Sequence, residues 1–178
     1  YRMARESQIV QALIEAAENG KEVVALVELR ARFDEQNNID WSKQLEEAGC
    51  TILYGFDDYK VHSKLTLITK KGPQGYSYIT QIGTGNYNEK TSELYTDYSF
   101  ITADLGIGEE ASNVFQNLAV QKLTETTEKM LVAPLRFKSV LLDEMDRVIN
   151  AAKLGRPASM ILKNNSISDR DIILKLEE

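Results

Sequence analysis

The 178-residue sequence predicts an α/β layered domain with a central mixed sheet flanked by helices. Two amphipathic helical patterns alternate with two short apolar strand patterns at the start of the chain, which is typical of layered α/β folds. Two segments of alternating polarity follow, joined by a turn with glycine and proline, and indicate a β-hairpin. A hydrophobic content of 43% is sufficient for one buried core.

The first four elements follow from apolar periodicity and from capping residues. Positions 7–19 place apolar side chains on one helical face, and positions 23–29 form a near-continuous apolar strand of the kind covered on both faces. A second helix is predicted over 34–48, with Asp34 as its cap, and a second strand over 51–54.

The later elements are predicted from the same patterns, together with a polar connector over 121–129. The strands are placed at 95–102, 130–133 and 159–162, and the helices at 108–118, 139–153 and 168–178. The chain does not start with methionine and stops inside an amphipathic pattern, so we expect a segment of a longer protein.

Composition narrows the possible functions. The net charge of −6 argues against a nucleic-acid partner, and a polyanionic substrate would need a local basic cluster. One cysteine and one histidine exclude an internal disulfide and a Cys/His metal site, and they fit a reducing cytoplasm. No apolar run of membrane-spanning length occurs in the sequence.

Residues 58–69 alternate in polarity and predict a strand that carries His62 and Lys64 on one face. An imidazole beside an ammonium suits an anionic phosphate, because Lys64 can hold the oxygens while His62 attacks the phosphorus. A surface strand without a catalytic role would show the same tripeptide.

A predicted turn over 70–75 and a strand over 76–82 lead into Gly83-Thr84-Gly85-Asn86-Tyr87-Asn88. Glycine lets backbone approach a ligand closely, while Thr84 and Asn86 supply neutral hydrogen-bond donors. His-x-Lys followed by Gly-Thr-x-Asn resembles a half-site of the phospholipase D superfamily. Thr69 stands where that superfamily has an aspartate seven residues after the histidine, which counts against an ordinary phospholipase or nuclease.

A wider resemblance is to the bacterial polyphosphate kinases of the large type that works through a phosphohistidine. The segments that carry it are Val27–Glu35, Lys60–Leu65, Ile82–Thr91 and Leu94–Tyr98. The resemblance implies a reversible transfer of the ATP γ-phosphate to the end of inorganic polyphosphate, by a cytoplasmic protein whose parent is a homo-oligomer. Association of the parent with a membrane stays open. The implied nucleophile is His62, supported by Lys64 and Asn86.

The resemblance also implies a nucleotide site. Tyr95 matches the nucleotide-contacting tyrosine of the family, and Arg2 and Arg32 match two arginines linked to Mg²⁺ and nucleotide. Since an arginine has no lone pair for a metal ion, we expect both to bind phosphate oxygens, with Mg²⁺ bridged by the phosphate of ATP. Residues 1–157 would form one phospholipase D-like half-domain, and 158–178 would begin a second, similar domain.

Two alternatives remain open. One is a phosphodiesterase or nuclease that uses the same half-site, and the other is a non-catalytic α/β interaction module. A site of this superfamily needs a second histidine that protonates the leaving group, and this chain has only one. We therefore expect the 178 residues to be nearly inactive alone, because general acid help is worth about 10²–10⁴-fold.

Overall fold

A computed structural model describes residues 1–125 and 127–178. The chain divides into two compact units, Tyr1–Leu123 and Thr124–Glu178. The predicted domain boundary after residue 157 falls inside the second unit and stays a prediction. The predicted connector over 121–129 contains residue 126, which lies outside the described residues; its described neighbours belong to no helix or strand.

The first unit opens with two helices and two parallel strands. Ser7 caps α1 (Gln8–Glu18) by accepting a hydrogen bond from the amide of Val10. The other elements are α2 (Glu35–Glu47), β1 (Val24–Val27) and β2 (Thr51–Tyr54). Val24 pairs with Thr51 and Val27 with Tyr54, so the two strands are parallel, as helix-separated strands usually are. The buried core of this half comprises Val10, Val23, Val27, Trp41, Leu45 and Cys50.

An antiparallel sheet of three strands follows, in the order β3–β4–β5. Its strands are β3 (Lys64–Gly72), β4 (Gly75–Gly83) and β5 (Ser99–Thr102). The predicted hairpin is confirmed, although its turn is shorter than expected, because Gly72 still pairs with Gly75 across Pro73 and Gln74. Gly75 has φ of +115°, which explains why a glycine stands at that position.

The predicted α/β class is confirmed, but the described strands form two hydrogen-bonded sheets rather than one mixed sheet. A cavity of about 190 Å³ lies between them, lined by all of β1 and by Leu65–Leu67 of β3. Helix α4 (Leu105–Ala119) packs on β4. A Cβ at Gly108 would lie 2.4 Å from the Tyr78 side chain, so this glycine is what permits the close packing.

Two predicted strands of the first unit are wrong at their starts. Residues 58–63 form a loop that precedes β3, and residues 95–98 precede β5. A short helix, α3 (Glu89–Leu94), lies where no element was predicted; Asn88 caps it by accepting from the amide of Thr91. Alternation of polarity in these two segments is therefore not accompanied by strand pairing.

The second unit contains α5 (Phe137–Lys153) and α6 (Arg170–Glu177), close to their predicted bounds. Lys138 of α5 forms ion pairs with Asp169 and Asp171 at the start of α6. The strands predicted at 130–133 and 159–162 are absent from the structure, and Ile161 is 94% exposed. A strand needs a neighbouring strand to pair with, and none of the described residues of this unit takes part in a sheet. Across the described residues, no helix is long and apolar enough to cross a membrane.

Candidate functional site

The centre of the site is the contact between His62 and Lys64 at the start of β3. The Nζ of Lys64 lies 2.8 Å from Nδ1 of His62 and donates to the His62 carbonyl oxygen at 2.6 Å. Lys64 is only 5% exposed, whereas His62 is exposed at the surface. The predicted pairing of imidazole and ammonium is therefore present, although His62 lies in the loop before the strand rather than within it.

Desolvation and neighbouring cations lower the pKa values of both groups, because the His62 imidazole is partly covered although the residue as a whole is exposed. Desolvation is the main cause for His62, followed by the positive charges of Lys64 and Arg2. Desolvation also lowers the pKa of Lys64 to about 8, while the Asp97 carboxylate acts in the opposite direction. At neutral pH the His62 imidazole is accordingly uncharged, and the Lys64 ammonium is a buried cation that attracts an anion.

The contact with Lys64 also fixes where the imidazole proton resides. A charged ammonium can only donate, so Nδ1 of His62 accepts, and the neutral ring carries its proton on Nε2. Nitrogen with a proton is not nucleophilic. Attack through Nε2 becomes possible once the Lys64 ammonium moves to another acceptor and the proton shifts to Nδ1.

The loop that leads into His62 is fastened by two residues just after β1. The carboxylate of Glu28, which is buried, accepts from the amide of Val61 at 3.0 Å and from the amide of Arg30 at 2.9 Å. The Arg30 guanidinium donates to the backbone carbonyls of Phe56, Asp57 and Tyr59. Arg30 is thus engaged with the backbone of the loop and is not free to bind phosphate.

Helix α2 holds the first four residues of the chain against the site. Its side chains donate three hydrogen bonds to backbone carbonyls, from Asn38 to Tyr1, from Asn37 to Met3 and from Trp41 to Ala4. The ring of Tyr1 lies 4.5 Å from that of His62, centroid to centroid, and the Arg2 guanidinium lies 5.3 Å from the Tyr1 ring. Arg2 is thereby brought within electrostatic range of His62.

The two predicted phosphate-binding arginines differ in their surroundings. Arg2 forms an ion pair with Asp34, which consequently makes no capping hydrogen bond to α2. Arg32 is exposed, and its guanidinium lies 4.8 Å from the centroid of the Phe33 ring. Phe33 has φ of +73°, a strained conformation for a bulky residue that is most common near functional sites. No described contact joins Arg32 to His62, and its phosphate role stays a prediction.

The loop after β4 begins directly across from Lys64, since Gly83 pairs with Lys64 in the ladder. Three residues later, the side-chain oxygen of Asn86 is buried with no hydrogen-bond partner in the described chain. A buried unpaired acceptor costs about 1–3 kcal/mol, a cost that a ligand bearing a donor would offset. Asn86 therefore has a buried, unpartnered acceptor in the loop that starts opposite Lys64.

Asp97 is a site residue that the sequence analysis did not single out. It accepts a hydrogen bond from the hydroxyl of Thr84 at 2.9 Å, and its charge raises the pKa of Lys64. A Cβ at Gly85 would lie 2.3 Å from the Asp97 carboxylate, so glycine is required there. Asp97 lies two residues after Tyr95, in a segment whose alternating polarity predicts a strand, and a charged residue on the polar face of a strand gives no signal of a site.

Tyr95 lies at the C-terminal end of α3 and is 50% exposed. Its ring is therefore available to a ligand, and no aromatic partner is described for it. This exposure argues against a core role for the side chain.

The residues present do not fit a metal ion held by the protein. Arg2 and Arg32 have no lone pair to offer, and no group of three His, Cys, Asp or Glu side chains among the described residues is arranged to hold a metal. Any Mg²⁺ at this site would have to arrive with the phosphates of a nucleotide.

Comparison with known proteins decides the family. Residues 1–124 match the model of polyphosphate kinase C-terminal domain 1, and residues 130–178 match that of polyphosphate kinase C-terminal domain 2. The chain belongs to the polyphosphate kinase family. The two matched ranges meet close to the division between the two compact units.

Individual relatives agree with the family models. The chain is 43% identical over all 178 residues to a polyphosphate kinase of Staphylococcus saprophyticus, and 41% identical over 176 residues to one of Vibrio vulnificus. The crystal structure of the polyphosphate kinase of Porphyromonas gingivalis superposes with a TM-score of 0.84 at 35% identity, with 99% of this chain and 29% of that chain covered. This likeness confirms the predicted phospholipase D-like fold. The chain spans about a quarter of the length of its curated relatives.

Proposed function

We propose that this chain is part of a polyphosphate kinase, in which His62 takes the γ-phosphate of ATP and passes it to the end of inorganic polyphosphate. The observation that carries the proposal is the exposed imidazole of His62 beside the buried ammonium of Lys64. The family relationship supports it, because the matched ranges cover nearly the whole chain.

In the first step, Nε2 of His62 bonds to the γ-phosphorus while the bond from that phosphorus to the β,γ-bridging oxygen breaks, and ADP leaves. In the second, a terminal oxygen of polyphosphate bonds to the same phosphorus and the phosphorus–nitrogen bond breaks, which restores His62. Both steps are reversible as written. Their shared requirement is a set of fixed charges around the transferring phosphoryl group.

The chain supplies part of that set. An incoming phosphate draws the Lys64 ammonium from Nδ1, so the group that holds the anion also frees the nucleophile. Arg2 adds a second positive charge, and Asn86 can donate through its amide. Tyr95 and Arg32 would contact the nucleotide, and Mg²⁺ would accompany its phosphates.

The remainder of the proposal concerns the parent protein. A second half-site would provide the acid for the leaving group, and the protein would be a cytoplasmic homo-oligomer that acts on ATP, ADP and polyphosphate. The isolated 178 residues would be nearly inactive because the opposing acid is missing.

The decisive experiment compares the intact protein that contains this chain with its His62→Ala variant. We expect the variant to lose acid-labile ³²P labelling from [γ-³²P]ATP together with polyphosphate synthesis. Gln74→Ala, in the exposed hairpin turn, is the matched control and should retain both.

Two outcomes would contradict the proposal. Synthesis by His62→Ala above a few per cent of the wild-type rate would exclude the covalent route. Hydrolysis of a phosphodiester without any label on histidine would favour the phosphodiesterase alternative instead.

A further inference from the structure

We propose that Glu28 is a positioning residue for His62, acting through the loop of residues 55–61 rather than through contact with substrate. The inference rests on the proposed function only in taking His62 as the nucleophile. Its structural part, that Glu28 fixes the place and the environment of His62, can be tested without any catalytic assay.

The first observation is the burial of the Glu28 carboxylate. Its side chain is 3% exposed, and a carboxylate at such a position is costly unless it is fully hydrogen-bonded. One oxygen accepts from the amide of Arg30, and the other accepts from the amide of Val61. Val61 directly precedes His62, so one carboxylate joins the end of β1 to the residue before the nucleophile.

The second observation is that Arg30 holds the same loop as Glu28. Its guanidinium lies 3.8 Å from the Glu28 carboxylate and donates to three carbonyls of the loop. Glu28 therefore accepts a hydrogen bond from a backbone amide of the loop, and Arg30 donates hydrogen bonds to backbone carbonyls of the loop. A loop without regular secondary structure is given a fixed backbone in this way.

The third observation is that the loop is packed tightly on the carboxylate. A Cβ at Gly55 would lie 3.1 Å from Oε2 of Glu28 and 3.3 Å from Cγ2 of Val61. The glycine thus lets the start of the loop pass directly over Glu28. Helix α2 adds a further anchor, because Asn38 donates both to the Glu28 carbonyl and to the Tyr1 carbonyl.

The consequence for His62 is a fixed position between Tyr1 and Lys64. The Nζ contact at 2.8 Å and the ring contact at 4.5 Å both depend on where the loop delivers the imidazole. A displacement of about 1 Å can cost about 10²-fold in rate when reacting groups are held in place by a scaffold. Glu28 would act on the rate without touching the phosphate.

The first test is NMR spectroscopy of this chain, which is simple to read because His62 is the single histidine. In Glu28→Ala we expect the Val61 amide to exchange with solvent at least tenfold faster and the pKa of His62 to rise towards its ordinary value. The direction is informative. Loss of a negative charge alone would lower the pKa of a histidine, whereas release of the loop hydrates the ring and raises it.

Two further variants separate positioning from charge and from general destabilisation. Glu28→Gln keeps one oxygen acceptor without the charge, and we expect it to lie between the wild type and Glu28→Ala. Gly55→Ala keeps the charge of Glu28 but places a methyl group against its carboxylate and against the Val61 side chain. It should also speed the exchange of the Val61 amide with solvent. Glu18→Ala, on the exposed side of α1, is the control and should change neither property.

The second test measures phosphorylation of His62 in the intact protein by rapid quench. We expect Glu28→Ala to lower the rate about 10–100-fold, with the KM for ATP within about threefold of the wild type and partial rescue in Glu28→Gln. Unchanged Val61 exchange and unchanged His62 pKa in Glu28→Ala would overturn the positioning role, as would a rate equal to wild type. If the wild type itself forms no phosphohistidine, the proposed function fails, while the NMR result still decides the role of Glu28.

Discussion

The two halves of the first unit bury different kinds of residues. The half built from α1, α2, β1 and β2 has a core of Val10, Val27, Trp41 and Leu45. The buried positions of β3 and β4 are instead Lys64, an ammonium, and Thr80, whose hydroxyl has no partner among the described residues. The first half thus has an apolar core beside its buried polar Glu28 and Asn38, whereas the buried side chains of β3 and β4 are polar and oppose stability.

This difference indicates that one half of the compact unit supplies most of the stability and the other half supplies the charged and polar groups of the site. Burial of Lys64 and of the Asn86 oxygen lowers stability, but it leaves an ammonium that an anionic ligand would satisfy and an acceptor that a hydrogen-bond donor of a ligand would satisfy. The apolar half offsets that cost and also supplies Glu28, which fastens the loop of the polar half. Stability and chemistry should therefore respond to different mutations.

The largest effect is expected from Leu45→Ala in α2. Leu45 is 1% exposed in the apolar core, and truncation of such a leucine costs about 2–5 kcal/mol of unfolding free energy. The measurement is urea unfolding followed by circular dichroism. Leu94→Ala, at a position 80% exposed, is the control and should change the unfolding free energy by less than about 0.5 kcal/mol. Equal losses in the two variants would mean that the apolar half does not carry the stability.

The next effect is expected from Lys64→Met, with opposite signs for activity and stability. Removal of the ammonium should slow phosphorylation of His62 about 10²–10³-fold, in the range seen when one electrostatic donor is removed from an active site. At pH 7 the variant should unfold at a higher temperature than the wild type, because a buried charge has been replaced by an apolar side chain.

The pH dependence of stability sharpens that prediction. The pKa of Lys64 is about 8 in the folded chain and 10.5 when unperturbed, so between these values the unfolded chain binds more protons. The penalty of the buried charge is complete below pH 8 and is relieved as pH rises towards 10.5. The stability advantage of Lys64→Met should accordingly shrink from pH 8 to pH 10 in thermal melts. An advantage that grows with pH would contradict the burial of a charged Lys64.

Much of this fold could be predicted from local sequence signals. Helices α1 and α5 follow from apolar periodicity, and the hairpin turn follows from its glycines, because these signals lie within a few residues of the elements that they specify. The predicted cap at Asp34 makes no capping hydrogen bond. The loop at 58–63 and helix α3 could not be predicted in this way. The loop depends on a partner far along the chain, Arg30, which alternating polarity does not reveal, whereas α3 has only six residues and is too short to show a helical apolar period.

The candidate site shows the same limit. His62 and Lys64 were identified because residues two apart and a shared chemistry suffice to suggest a pair. Glu28 and Asp97 were missed because each acts on a residue more than 30 positions away, on the Val61 amide and on the charge of Lys64 respectively. A charged residue in or beside an apolar strand, as at Glu28, was the available signal.

The smallest effect is expected from Asp97→Asn, which keeps the size of the side chain and an oxygen acceptor for Thr84 while removing the charge. The Asp97 carboxylate raises the pKa of Lys64, so its loss should move that pKa below about 8. Lys64 then loses its proton at a lower pH, and the alkaline limb of the pH profile for His62 phosphorylation should shift downwards. We expect a rate several-fold below wild type at pH 8 and nearly equal to it at pH 6.5, where Lys64 stays charged in both proteins. Asp143→Asn, on the exposed side of α5, is the matched control and should leave the profile unchanged. An alkaline limb that stays in place or moves upwards would show that the Asp97 carboxylate does not raise the pKa of Lys64, so that another group would have to keep Lys64 protonated.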